Sequence, residues 1–262
     1  MPSQPDTNRF DRLDALRTLA MLWMTVFHFC FDLNHFGLMP RQNFYADAFW
    51  TGQRTSIVSL FLFTAGFSQA VALQVQGLQS VTWHQRLDAR FWRRWLQVVG
   101  CALLVSLGSV LMFPNSFIYF GVLHGLAAML LIARLTAGWG KWLWLAGWAA
   151  IALNEIAAYA IPSSTSWKFL NEKPFNWLGL ISQKPITEDY VPLVPWLAAV
   201  WWGLAAGQWV LKHRPGWLAG QSNAMRWLAW PGRWSLSYYM LHQPVLIGVM
   251  TAWVTWATWV RG

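Results

Sequence analysis

Charge is what this chain has least of: only 11% of its 262 residues are Asp, Glu, Lys or Arg, with ten acids against nineteen bases. A soluble domain carries charge on about a quarter of its residues, so this composition excludes an ordinary water-facing surface. Cysteine is scarce as well. Cys30 and Cys101 are the two present, and both fall in apolar runs on opposite halves of the bilayer. A disulfide framework is thereby excluded, and both read as packing residues. No small-residue cleavage site follows the first apolar run, so that run reads as a retained helix rather than a signal peptide. No repeat relates the two halves, which disfavours an inverted-repeat transporter. Most connections are too short to hold a separate soluble domain.

What the chain has instead is hydrocarbon. Hydrophobic residues make up 56% and the mean hydropathy is +0.33, the signature of a multi-span membrane protein. Apolar runs of about 18 residues or more predict spans near 13–35, 54–75, 93–112, 116–134, 141–161, 191–211 and 234–258. The expected fold is therefore all-α, a polytopic membrane helix bundle of about seven helices in one domain over residues 1–262. Residues 1–10 read as a flexible tail and 162–190 as an external loop. With the N-terminus inside, thirteen Lys and Arg fall on inner segments and six on outer ones, which predicts a cytoplasmic N-terminus by the positive-inside rule. The net charge of +9 then needs no nucleic-acid partner, because anionic inner-leaflet lipid attracts the same residues. The expected partner is the lipid bilayer, and the expected location is a bacterial inner (plasma) membrane. Twenty-two tryptophans crowd the span ends, as at Trp139, Trp142 and Trp144, and read as an aromatic belt.

The first span breaks the apolar pattern in a regular way. At about 100° per residue, with Arg17 as origin, His28 falls near 20°, Asp14 and Asp32 near 60° and His35 near 0°. These five residues share one side of a helix inside the membrane, where each ionisable group costs roughly 2.5–3.5 kcal/mol on insertion scales. Such a stripe faces a cavity, a pathway or a reaction centre. Asp32 lies one turn beyond His28, where its carboxylate is expected to hold one ring nitrogen and leave the other to accept a proton. His124 and His242 are placed about eight residues into the fourth and seventh spans. The bland reading of each is an interhelical hydrogen bond. Arg90, Arg93 and Arg94 open the third span as a cluster that suits phosphates, and equally as positive-inside anchors. Glu188 and Asp189, in the outer loop, read either as contacts for an incoming acceptor or as a solvated charge pair at a helix start.

The same residues carry a resemblance. Arg12-Leu-Asp14-Ala-Leu-Arg17 followed by Phe27-His28-Phe resembles the first span of transmembrane acyltransferases, with Arg17 and His28 at the signature spacing. Arg90-Phe-Trp-Arg93 resembles the arginine pair near the acyl-CoA site of the acyltransferase-three branch. Phe31-Asp32-Leu-Asn, Phe61-Leu-Phe-Thr-Ala-Gly66-Phe, Phe117-Ile-Tyr-Phe-Gly-Val-Leu-His124, Glu188-Asp-Tyr-Val-Pro-Leu-Val-Pro-Trp196 and Leu241-His242-Gln-Pro244 look most like bacterial relatives of the heparan-α-glucosaminide N-acetyltransferase catalytic domain. The likeness runs from about Arg9 to Ile247. The chain lacks the long lumenal extension of the lysosomal members, so a glycosaminoglycan acceptor does not carry over.

The resemblance implies an enzyme that moves an acetyl or acyl group from cytosolic acetyl-CoA, a donor substrate, to an external hydroxyl or amine on a glycan or small molecule. His28 would act as general base or acyl relay and Asp32 would orient it. Arg17, Arg90, Arg93 and Arg94 would bind acyl-CoA. His35, Arg54, His124, Glu188, Asp189 and His242 are candidates for acceptor or oxyanion contacts. No metal is expected, and the oligomeric state, a homodimer included, is open. Two other classes compete: a proton-coupled transporter or channel using the intramembrane His, Asp and Glu residues, and a haem protein, which the lack of paired histidines on one helix disfavours.

Overall fold

Hydrocarbon leaves a backbone no partners except its own, so a membrane chain folds as helices or as a closed barrel. This chain uses helices. A computed structural model describes residues 10–78, 81–163, 167–218 and 223–261, and among them no strand forms. In chain order the helices are α1 (Asp11–His35), α2 (Ala48–Val75), the single turn α3 (Trp83–Arg86), α4 (Ala89–Met112), α5 (Val122–Thr136), α6 (Trp142–Ser163), the single turn α7 (Lys173–Asn176), α8 (Leu197–His213), α9 (Asn223–Gly232) and α10 (Ser235–Arg261). The protein is thus an all-α membrane helix bundle. Among the described residues five stretches, α1, α2, α4, α5 with its following turn, and α6, are long and apolar enough to cross a membrane. The other two expected spans form as α8 and α10, outside those limits of length and hydropathy. Most of the expected flexible tail, residues 1–9, and part of the external loop, residues 164–166, lie outside the described residues.

Helix starts move where capping groups dictate. Asp88 accepts from the Phe91 amide at 3.0 Å, so α4 begins at Ala89 and carries Arg90, Arg93 and Arg94 within its first turns. The fourth span was expected from residue 116 but starts at Val122. Gly121 offers no capping side chain, and the Asp189 carboxylate accepts from the Val122 amide at 2.7 Å instead. His124 is therefore a first-turn residue rather than one eight residues deep. Pro192 and Pro195 likewise hold back α8 until Leu197, because proline has no amide hydrogen to give.

The chain divides into two compact units. Unit 1 joins residues 1–61 to 216–262. In it α1 packs along α9 and α10, and Met24, Phe27, Phe44, Trp50 and Ile57 form a buried cluster flanked by Tyr238 and Tyr239. A side chain at Gly232 would overlap the Asp14 carbonyl, which explains the close approach of α9 to α1. Buried Asp11 pairs with Arg233 at 3.3 Å.

Unit 2 spans residues 62–215. The second half of α2 meets α8 through small residues. A Cβ on Gly66 would collide with the Val200 carbonyl, and one on Gly203 with the Phe63 carbonyl. Backbone contact of this kind replaces the hydrophobic drive that helices lose in lipid. Residues 167–194 are tied together by hydrogen bonds. Leu193 and Val194 donate to the Trp177 and Leu178 carbonyls, both at 2.9 Å. The Asn176 amide donates to Tyr119 at 2.7 Å, and Tyr190 donates to the Asn176 carbonyl at 2.6 Å. Burial raises both phenol pKa values above the usual range, and the neighbouring Tyr119 adds to the rise at Tyr190. Outward, Trp139, Trp142, Trp144, Trp227, Trp230, Trp234, Trp253, Trp256 and Trp259 are all exposed, as rings in a headgroup belt would be.

Candidate active site

The polar stripe of α1 separates into distinct environments. Arg17 donates to Asp14, one turn back, at 2.5 Å. His28 is half-buried, Asp32 is 3% exposed and His35 lies exposed in the last turn. The expected pairing of His28 with Asp32 does not form. Asp32 Oδ1 instead accepts from the Gln243 amide nitrogen of α10 at 3.0 Å, while the His28 ring packs against the His242 ring with centroids 5.2 Å apart. The physical reason lies in the neighbouring helix. Gln243 and His242 arrive side by side from α10, so each α1 side chain finds an interhelical partner instead of its intrahelical neighbour.

His242 is held in one orientation. Its Nδ1 lies 2.8 Å from the Tyr239 carbonyl, and since a carbonyl only accepts, Nδ1 carries the proton. Nε2 of the neutral ring then presents a lone pair. The Tyr238 ring stacks parallel to the imidazole at 6.0 Å, and its hydroxyl meets Thr25 of α1 at 2.5 Å. Pro244, inside α10, contributes no amide hydrogen, so the ladder is interrupted beside this group.

Three buried atoms here have no hydrogen-bond partner: Asp32 Oδ2, His242 Nε2 and Gln243 Oε1. All three are acceptors. A buried polar atom left unpaired costs about 1–3 kcal/mol, so three acceptors gathered on facing helices mark a place short of donors. A hydroxylated or amine-bearing molecule would supply them. Gln243 was missed as a site residue, although a lone amide within the apolar run 241–250 is the signal that could have raised it. Arg54, on α2 in the same unit, is half-buried.

The remaining candidates lie in unit 2. His124 is engaged at both nitrogens. The Gly121 amide donates to Nδ1 at 3.3 Å, which leaves the proton on Nε2 for Ser106 Oγ at 3.1 Å. Ser106 in turn donates to the Ile118 carbonyl at 2.6 Å. This network fastens the start of α5 to α4. Asp189 caps α5 at Val122, and Glu188 accepts from Ser116 at 2.6 Å, so both acids tie their loop to the chain around the start of α5. Arg90, Arg93 and Arg94 are exposed on α4.

Compared with known proteins, the chain matches a family model described as heparan-alpha-glucosaminide N-acetyltransferase, catalytic, over residues 9–244. No curated protein and no solved structure matches it. The matched range holds both α1 and the His242–Gln243 pair.

Proposed function

The chain belongs to the heparan-α-glucosaminide N-acetyltransferase catalytic family, whose members imply a membrane acetyltransferase-like function, and from that premise we propose the reaction and the residues that carry it. The protein moves an acetyl group from cytosolic acetyl-CoA to a hydroxyl or amine on an extracytoplasmic acceptor, a sugar or glycan, in a bacterial inner membrane. The observation that carries this reading is the trio of unpartnered acceptors, Asp32 Oδ2, His242 Nε2 and Gln243 Oε1, beside His28. A polyhydroxylated or amino acceptor has the N–H and O–H groups that such a trio lacks.

In the proposed sequence the acceptor hydroxyl or amine attacks the thioester carbonyl as His28 takes its proton. A new C–O or C–N bond forms, the C–S bond breaks, and the imidazolium returns its proton to the departing thiolate. Asp32 then serves the acceptor rather than the His28 ring: Gln243 holds one carboxylate oxygen and leaves the other for a substrate donor. Arg17, Arg90, Arg93 and Arg94 are assigned to the donor. A second reading makes His242 the base, favoured by its anchored Nδ1 and open Nε2.

The test uses purified full-length protein in nanodiscs, labelled acetyl-CoA and glucosamine as probe acceptor. General-base catalysis is worth about 10²–10⁴-fold, so His28→Ala should lose at least a hundredfold in kcat. Equal transfer by wild type and His28→Ala would remove His28 from the chemistry. A loss confined to His242→Ala would select the second reading.

A further inference from the structure

Unit 2 holds the opposite deficit, one of acceptors. Arg134, near the end of α5, is 2% exposed. Its Nη2 reaches Gln76 Oε1 at 3.4 Å and Asp88 Oδ1 at 4.0 Å, and its guanidinium lies over the Phe91 ring, 5.1 Å from the centroid. Nε and Nη1 are buried with no hydrogen-bond partner. Asp88 is a distant counter-ion already committed to capping α4. Arg94, of like sign, stands within electrostatic reach of Arg134. Arg86, two residues before Asp88, adds another buried and unpartnered nitrogen, Nε, while the rest of its guanidinium rests against Gly138, four residues beyond Arg134.

Arg134 thus has Asp88 as its counter-ion at 4.0 Å, with Arg94 within electrostatic reach and Arg86 against Gly138, and three donor nitrogens of Arg134 and Arg86 are buried without a hydrogen-bond partner. Leaving a buried charge incompletely paired is costly. Hydrocarbon tails cannot relieve that cost and a cationic ligand would increase it. We propose that this cluster is an anion site that takes a phosphoryl group, with Arg134 and Arg86 donating to its oxygens and Arg94 adding charge. Guanidinium forks match phosphate geometry. Two phosphate esters fit the chemistry: the 3′-phosphate or diphosphate of coenzyme A, which rests on the acyl-transfer reading above, or the headgroup of an anionic phospholipid.

The experiment measures thermal unfolding and ligand affinity of the full chain in maltoside detergent free of phospholipid. Non-acylated coenzyme A, inorganic phosphate and phosphatidylglycerol are added separately. Wild type should be stabilised by at least one, since a ligand that binds only the folded state raises its stability. Stabilisation by coenzyme A identifies a soluble phosphate ester, and stabilisation by phosphatidylglycerol alone identifies a headgroup. Arg134→Gln should weaken that ligand at least tenfold and, without ligand, should unfold at the same temperature as wild type or higher, because it removes a buried charge whose counter-ion stands 4.0 Å away and two of whose nitrogens are without a hydrogen-bond partner. Arg134→Lys, which keeps the charge and loses the fork, should weaken the ligand likewise. Earlier unfolding or misfolding of Arg134→Gln, retained affinity in both variants, or indifference of wild type to all three ligands would each overturn the site. Coenzyme A binding without acetyl transfer would leave it standing and reject the enzymatic reading. Acetyl transfer and coenzyme A affinity both unchanged in Arg134→Gln would keep the enzymatic reading and reject a coenzyme A phosphate at this site.

Discussion

At the scale of single residues, hydrogen-bond supply separates side chains with spare capacity from fully engaged ones. His124 uses both ring nitrogens on neighbours, whereas His242 uses one and leaves the other buried and open. Asp32 shows the same half-use, with Gln243 on one oxygen. Asp32→Asn turns the unused acceptor into a donor at nearly constant volume. A hydrogen bond to a charged group is worth about 1.5–3 kcal/mol, so the acceptor KM should rise roughly tenfold or more, with the acetyl-CoA KM unchanged. A proportional change in both constants would assign Asp32 to the fold. The polarity of His28, Asp32 and His242 inside apolar runs is legible in the sequence. The partner of Asp32 is not, because Gln243 lies 211 positions away and helix periodicity speaks only for neighbours on the same helix.

At the scale of elements, caps and small residues decide where helices begin and how near they come. Asp189 caps α5 from a distant loop, so Asp189→Ala should cost about 1 kcal/mol, read as a lower unfolding temperature with the helix content kept. Gly66→Leu forces a side chain into the Val200 backbone. Overpacking typically costs about 1–3 kcal/mol, and this variant should unfold earlier than Gly52→Ala, where nothing stands within 4 Å. The Tyr119–Asn176–Tyr190 network has a pH signature. Burial raises both phenol pKa values, so the native network holds protons that the unfolded chain releases near pH 10. Its stability contribution is complete below that pH and is lost as pH rises through the native values. Alkaline titration of tyrosinate absorbance should show two phenols ionising late. Apolar periodicity predicts the existence of α4 and α5. It misses the six-residue delay of α5, since a cap supplied from residue 189 leaves no trace near residue 116.

At the scale of the whole molecule, composition speaks most plainly. Few charges and long apolar runs require a membrane, and runs of about 18 residues or more are the length that crosses it as helices. The uneven placement of Lys and Arg predicts the orientation, and cysteine labelling checks it. In right-side-out vesicles, a cysteine replacing exposed Glu188 should react with a membrane-impermeant maleimide, while one replacing exposed Arg90 should react only after permeabilisation. The opposite pattern would invert the topology and with it the assignment of donor and acceptor sides.

Composition and periodicity by themselves determined the all-helical membrane architecture and the first helix as carrier of polar groups, because the cost of leaving a polar atom in hydrocarbon is set by residue type and spacing. The tertiary structure alone decided which of those atoms are paired. A missing partner is defined only once every neighbour has been placed, and the three spare acceptors near His28 and the three spare donors around Arg134 and Arg86 come from segments far apart in the chain.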